Sequence, residues 1–127
     1  MDRFLWICFA GALGTGTRYL VGIWAGTKFG TAFPYGTLIV NVSGCFSIAA
    51  IMQVAISTNL LPATLRLALT TGFLGGLTTY SSFNYETTRL LQERSWGLGL
   101  LNYALTTLAC FAAGLLGFAL ARRLLPG

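Results

Sequence analysis

The stretch Thr70-Thr71-Gly72-Phe73-Leu74-Gly75-Gly76-Leu77-Thr78-Thr79-Tyr80-Ser81-Ser82-Phe83-Asn84-Tyr85-Glu86 decides how this chain is read. It stands in the middle of a long apolar segment, yet it carries two adjacent glycines and a run of hydroxyl side chains. Glycine pairs weaken a helix, and β-branched threonine does little to hold one together. An interruption frees backbone carbonyls, which are tolerated at membrane depth only where protein, water or an ion satisfies them. The stretch therefore predicts a helix broken among these glycine, threonine and serine residues, building an ion site near the bilayer midplane, as discontinuous helices do in transporters. A flexible kink that only assists packing is the plainer alternative.

Moving outward, the whole chain has the composition of a membrane protein. Its 127 residues suffice for one domain, 1–127; 55% are hydrophobic and 9% charged, against about 25% charged in a soluble domain. Such a chain lacks the polar surface to cover itself in water. Four segments are long enough for the ~20 helical residues that a bilayer core requires: about 4–25, 35–56, 63–91 and 98–120. Pro34 and Pro62 suit helix entrances, where a missing N–H costs nothing. Met1, Asp2 and Arg3 before an apolar run resemble the start of a signal peptide. That run continues past Gly14 and Gly16 to Ala25, so a retained span is expected.

With four spans, one face carries Arg3, Arg66, Arg122 and Arg123. The other carries Lys28, Arg89 and Arg94, with Arg18 embedded nearer that side. The excess of positive loop charge that fixes orientation is nearly absent. A balanced chain can insert either way round, so the expected assembly is an antiparallel, dual-topology homodimer. Four helices also leave little room for a pathway within one bundle. Gly11, Gly14 and Gly16, then Gly44, then Gly114 and Gly117 supply small residues for close helix contact.

Other residues extend the polar theme. Asn41 lies in the second span with Thr37 one turn away on the same face. A carboxamide in hydrocarbon needs a partner. Its N–H groups suit an anion, and an interhelical hydrogen bond suits it equally. Tyr80 and Phe83 share a face beyond the break, and aromatic rings present positive edges to anions. Thr79, Ser81 and Ser82 surround them with hydroxyl donors, and Asn102 and Thr106, spaced i,i+4 on the fourth span, extend a polar track. The acids are only Asp2, Glu86 and Glu93, at or near span ends, and there is no histidine. No carboxylate dyad, nucleophile–base pair or phosphate loop can be assembled, so an enzyme is not expected. Cys8, Cys45 and Cys110 have no metal-site spacing and read as small buried thiols.

Together these residues resemble the fluoride channel family known as Fluc or CrcB. The resemblance is carried along most of the chain by Gly11-Ala12-Leu13-Gly14 with Arg18-Tyr19, by Gly36-Thr37 with Asn41 and Gly44, and by the block from Thr71 to Phe83. It implies an all-helical dimer in a bacterial inner membrane with two parallel fluoride pores. Asn41 and Phe83 would be pore residues, with Arg18 the arginine of the first span and Glu86 beside it in the vestibule. The carbonyls of Gly75 and Thr78 would hold a structural sodium ion at the dimer axis. The second pore aromatic of the family pattern is Phe; here it is Tyr80. Two rivals stand beside this reading. A small multidrug-type proton-coupled antiporter requires an embedded acid, for which Glu86 is the one imperfect candidate. A non-transporting membrane scaffold leaves the hydroxyl-rich break without a purpose.

Overall fold

The computed structural model describes residues 1–126. Helix α1 (Asp2–Phe29) is followed by α2 (Tyr35–Ser57) and by α3 (Ala63–Leu67). The last continues through a π-helical stretch (Ala68–Leu74) into the single turn α4 (Gly75–Leu77). After Thr78 and Thr79 the chain resumes as α5 (Tyr80–Gln92) and closes with α6 (Trp96–Leu124). Among the described residues there is no strand. Pro34 and Pro62 both take N-cap positions.

Three helices, α1, α2 and α6, are long and apolar enough to cross a membrane. They have 28, 23 and 29 residues; at about 1.5 Å per residue each exceeds the ~30 Å hydrocarbon thickness. The segment from α3 to α5 runs beside them as an interrupted rod. Its direction follows from its contacts. Arg3 at the start of α1 donates to Thr64 at the start of α3 (3.4 Å), and Arg18 reaches Gly76 further along. The rod is therefore parallel to α1. Thr37 and Asn41 of α2 meet Glu86 and Thr79 in reverse order, so α2 is antiparallel to it.

Burial is inverted relative to a soluble protein. Large apolar side chains point outward, among them Phe9 (58% exposed), Leu100 (61%) and Phe111 (69%). The interior holds small residues, a few apolar side chains such as Val40, Leu74, Leu77 and Phe83, and hydrogen-bonded polar ones; among the described residues the one large side chain buried to 1% is Asn102. In lipid, apolar burial gives no advantage, so helices associate through close backbone approach and interhelical hydrogen bonds. Both devices are visible. A Cβ added at Gly14 would overlap the Phe73 carbonyl, and one at Gly76 would overlap that of Gly11. These contacts seat the rod directly on α1. Gly117 rests in the same way on Phe46, joining α6 to α2. Gly16, counted with these from sequence, has open space around it.

Within the stretch the break falls at the threonines rather than at the glycines. Gly75 is helical (φ −63, ψ −37), and the extended residues are Thr78 (φ −88, ψ 156) and Thr79 (φ −154, ψ 115). The glycines are needed for a different reason: contact with α1 at Gly72 and Gly76 leaves no volume for side chains. Weak helix propensity does not open the backbone there because packing holds it closed. The strain of the stretch appears instead as the wide π-helical turns of residues 68–74, a form that recurs at functional sites. Within them Thr70 Oγ1 bonds back to the Arg66 carbonyl (2.8 Å).

Candidate functional site

The interruption is held by a single side chain from α2. The N–H of Thr79 donates to Oδ1 of Asn41 (2.8 Å), and Nδ2 of Asn41 donates to the Thr79 carbonyl (3.0 Å). The carboxamide thus engages both backbone groups of one residue and takes its N–H out of the helical ladder. Asn41 is buried, and one Nδ2 proton remains for another acceptor. In a continuous helix the Thr79 and Tyr80 N–H groups would serve the carbonyls of Gly75 and Gly76. Thr79 has turned away, and Gly76 accepts instead from Arg18 Nε (3.0 Å). One arginine and one asparagine, from different helices, therefore satisfy the Gly76 carbonyl and the Thr79 N–H that the break exposes.

Beyond the break, Thr79 caps α5: its Oγ1 accepts from Ser82 N and donates to Ser82 Oγ, each at 3.1 Å. Ser81 Oγ lies 3.3 Å from the same hydroxyl. The first N–H groups of α5 have no intrahelical acceptor, and the positive end of the helix dipole falls there. Negative charge is favoured at such a terminus.

Two open regions meet at Thr79. One, of about 440 Å³, is bordered by Arg18, Thr37, Thr79, Ser82 and Glu86. It adjoins a cleft of about 280 Å³ that reaches Arg89 and the turn at Gly30. The other region, of about 360 Å³, is bordered by Asn41, Thr79, Tyr80, Phe83 and Thr106. Thr79 belongs to both walls, so the break separates a polar vestibule from a cleft with aromatic sides.

Each residue singled out in the sequence has a place in this frame. Thr37 donates to Glu86 Oε1 (2.8 Å), while Glu86 Oε2 is buried without a partner. Tyr80 and Phe83 meet edge to face, centroids 5.7 Å apart at 65°. Phe83 is buried, whereas Tyr80 is 76% exposed. Asn102 borders none of these openings. It donates to Thr87 Oγ1 (2.8 Å) and accepts from Thr106 (3.2 Å), and Thr87 donates to the Phe83 carbonyl (2.8 Å). This buried chain fastens α6 to α5 behind the aromatic pair. Gly75 and Thr78 border a separate small cleft with Gly44 and Thr70.

Two residues of the site were not singled out from sequence. Tyr103 stacks on Phe83 (6.0 Å, 24°), and Thr87 completes the Asn102 chain. Thr87 carried a signal, since it lies four residues past Phe83. Tyr103 carried none, because its contact is made across helices.

An all-helical membrane protein with an interrupted rod, its break held by a carboxamide and an arginine, is the class that this architecture defines: a small polytopic protein built around a discontinuous helix. Within that class the chain belongs to the family described as CrcB-like protein, Camphor Resistance (CrcB), whose pattern matches residues 5–118. Its relatives share its length. It is 53% identical to the Fluoride-specific ion channel FluC of Sorangium cellulosum (strain So ce56) over 127 residues, 100% of both chains. It is 48% identical to the protein of the same name from Anaeromyxobacter dehalogenans (strain 2CP-1 / ATCC BAA-258), over 89% of this chain and 90% of that one. Against that of Geobacter metallireducens (strain ATCC 53774 / DSM 7210 / GS-15) the identity is 48%, over 93% and 95%.

Proposed function

We propose that the chain is a fluoride-selective channel that lets fluoride leave the cell passively through the inner membrane of a bacterium. The observation that carries this reading is Thr79. It stands between the vestibule and the aromatic cleft at the open N-terminus of α5, among relatives named fluoride-specific channels. Fluoride is small and strongly hydrated, so a pathway must replace its water with close donors. The free Asn41 proton, the hydroxyls of Thr79, Ser81 and Ser82, and the edges of Tyr80 and Phe83 form such a set.

On this reading the interrupted rod is a fourth transmembrane segment and the working unit is an antiparallel homodimer. Support comes from the exposed polar side chains of Thr71, Ser81 and Asn84 along the rod. Polar groups are costly against hydrocarbon, and a second copy would cover them. The structural sodium implied by the resemblance would be held by the carbonyls of Gly75 and Thr78. The Gly75 carbonyl suits a hard cation, because Thr79 no longer serves it and it lies at the negative end of a helix. Bound there, the ion would offset that partial negative charge.

The unpartnered Oε2 of Glu86 in the vestibule favours one rival, proton-coupled antiport. Efflux from liposomes separates the two. A fluoride electrode should record release without any proton gradient, with negligible chloride release and little change in Glu86→Gln. Release that requires a proton gradient and disappears in Glu86→Gln would mean antiport. No release from folded protein, with fluoride or chloride, would remove the channel reading.

A further inference from the structure

Cys45 and Cys110 are far apart in sequence and carry no metal-site spacing, yet the fold brings them together. Cys45 is at the middle of α2 and Cys110 at the middle of α6. These helices are in close register: Gly114, one turn beyond Cys110, lies against the Cys45 carbonyl, and Gly117 lies against Phe46. Cys45 and Cys110 both line the cleft beside this contact. Both are free and partly accessible. Their accessible sides border the same cleft of about 360 Å³ as Asn41, Tyr80, Phe83 and Thr106.

We propose that Cys45 and Cys110 form a dithiol site for a two-coordinate thiophilic divalent cation, of which Hg(II) is the representative. Coordination number selects the ion class. Among the described residues no third histidine, cysteine or carboxylate joins the pair. Zinc, which takes four ligands in closed sites, is therefore poorly served. Thiolate sulfur favours soft metals, and a linear S–Hg–S unit needs only two donors. Charge narrows the class further. Two S–Hg bonds form as the two Hg–Cl bonds of mercuric chloride break, and both thiol protons and both chlorides pass to water, so Hg(II) gives an electrically neutral complex. A monovalent ion would leave a net negative charge in a low-dielectric wall, where an uncompensated charge is expensive. No oxidant or reductant takes part. The site rests on the cleft geometry alone. Its consequence, that a bound ion narrows the aromatic cleft and stops fluoride, rests on the channel reading.

The experiment uses the full chain carrying Cys8→Ser, which removes the remaining exposed thiol, reconstituted in liposomes. Mercuric chloride is titrated, and metal retained per chain is counted after washing with a monothiol competitor. One ion per chain is expected. Retention should fall by about 100-fold or more in Cys45→Ser and in Cys110→Ser, because chelation adds roughly 10²–10⁴ over single attachment. A dithiol chelator should remove the ion. Retention that is equal in the single variants, or absent in the paired chain, overturns the proposal. Circular dichroism of each variant separates misfolding from loss of the site, and the more conservative Cys45→Ala and Cys110→Ala replace any serine variant that misfolds. Fluoride efflux measured on the same liposomes should stop on loading and return with chelator. Retained metal with unchanged efflux leaves the dithiol site standing and overturns this cleft as the fluoride route.

Discussion

Replacing Asn41 with alanine removes the one side chain that holds the helix break open. Two hydrogen bonds are lost, at 2.8 and 3.0 Å, and both end on Thr79. A buried polar group left without a partner costs about 1–3 kcal/mol in soluble proteins. Within membrane bundles the measured average is nearer ~0.6 and the maximum ~1.7 kcal/mol, since the alternative state also finds partners. For two bonds the expected loss is then roughly 1–3 kcal/mol. There is also a structural consequence. Once released, the Thr79 N–H has its helical acceptor, the Gly75 carbonyl, within reach along the chain, and the rod is biased toward continuity. At about 1.4 kcal/mol per factor of ten, this loss corresponds to roughly a 5- to 150-fold shift between the two forms. Fluoride efflux from liposomes should therefore fall at least about fivefold in Asn41→Ala, and denaturant unfolding in mixed micelles should show the stability loss. Stability within about 0.5 kcal/mol of the parent, together with unchanged efflux, would refute the view that this carboxamide sustains the break.

Three further outcomes follow from the same geometry. Thr79→Val removes the cap of α5 and should cost about 1 kcal/mol in the same unfolding assay, with slower fluoride efflux; a neutral result would mean that Ser82 or water caps the helix unaided. Gly14→Ala should destabilise the protein by about 1–3 kcal/mol, since its methyl would overlap the Phe73 backbone. Gly16→Ala, with open space around it, should stay within about 0.5 kcal/mol in unfolding of the isolated chain. Tyr80→Phe should keep efflux within about twofold, because the ring packs on Phe83 and its hydroxyl makes no hydrogen bond within the chain, whereas Phe83→Ala should lose both efflux and about 3–5 kcal/mol of stability.

Composition and hydropathy were enough to specify a helical membrane protein, because the need for about 20 apolar residues per crossing is written directly in the chain. The stretch from Thr70 to Glu86 also announced an interruption, since glycine and hydroxyl residues are out of place in a spanning helix, and its motif pointed to the family. The glycines alone did not say where in that stretch the break would fall. Gly75 and Gly76 look like the weakest point of the helix, yet both remain helical, and Gly76 is small because α1 lies against it. The interruption falls at Thr78 and Thr79, where a carboxamide arriving from another helix offers the backbone a substitute for its own ladder. That substitution is a long-range event between residues 41 and 79, and no window along the sequence contains both partners. The same reason hid the Phe83–Tyr103 stack and the cleft that Cys45 and Cys110 share. Sequence by itself decided the solvent, the helices and the inventory of polar groups. Tertiary packing alone decided which of those groups meet, because in lipid the helices are positioned by close backbone contacts and interhelical hydrogen bonds, and both depend on which faces are brought together.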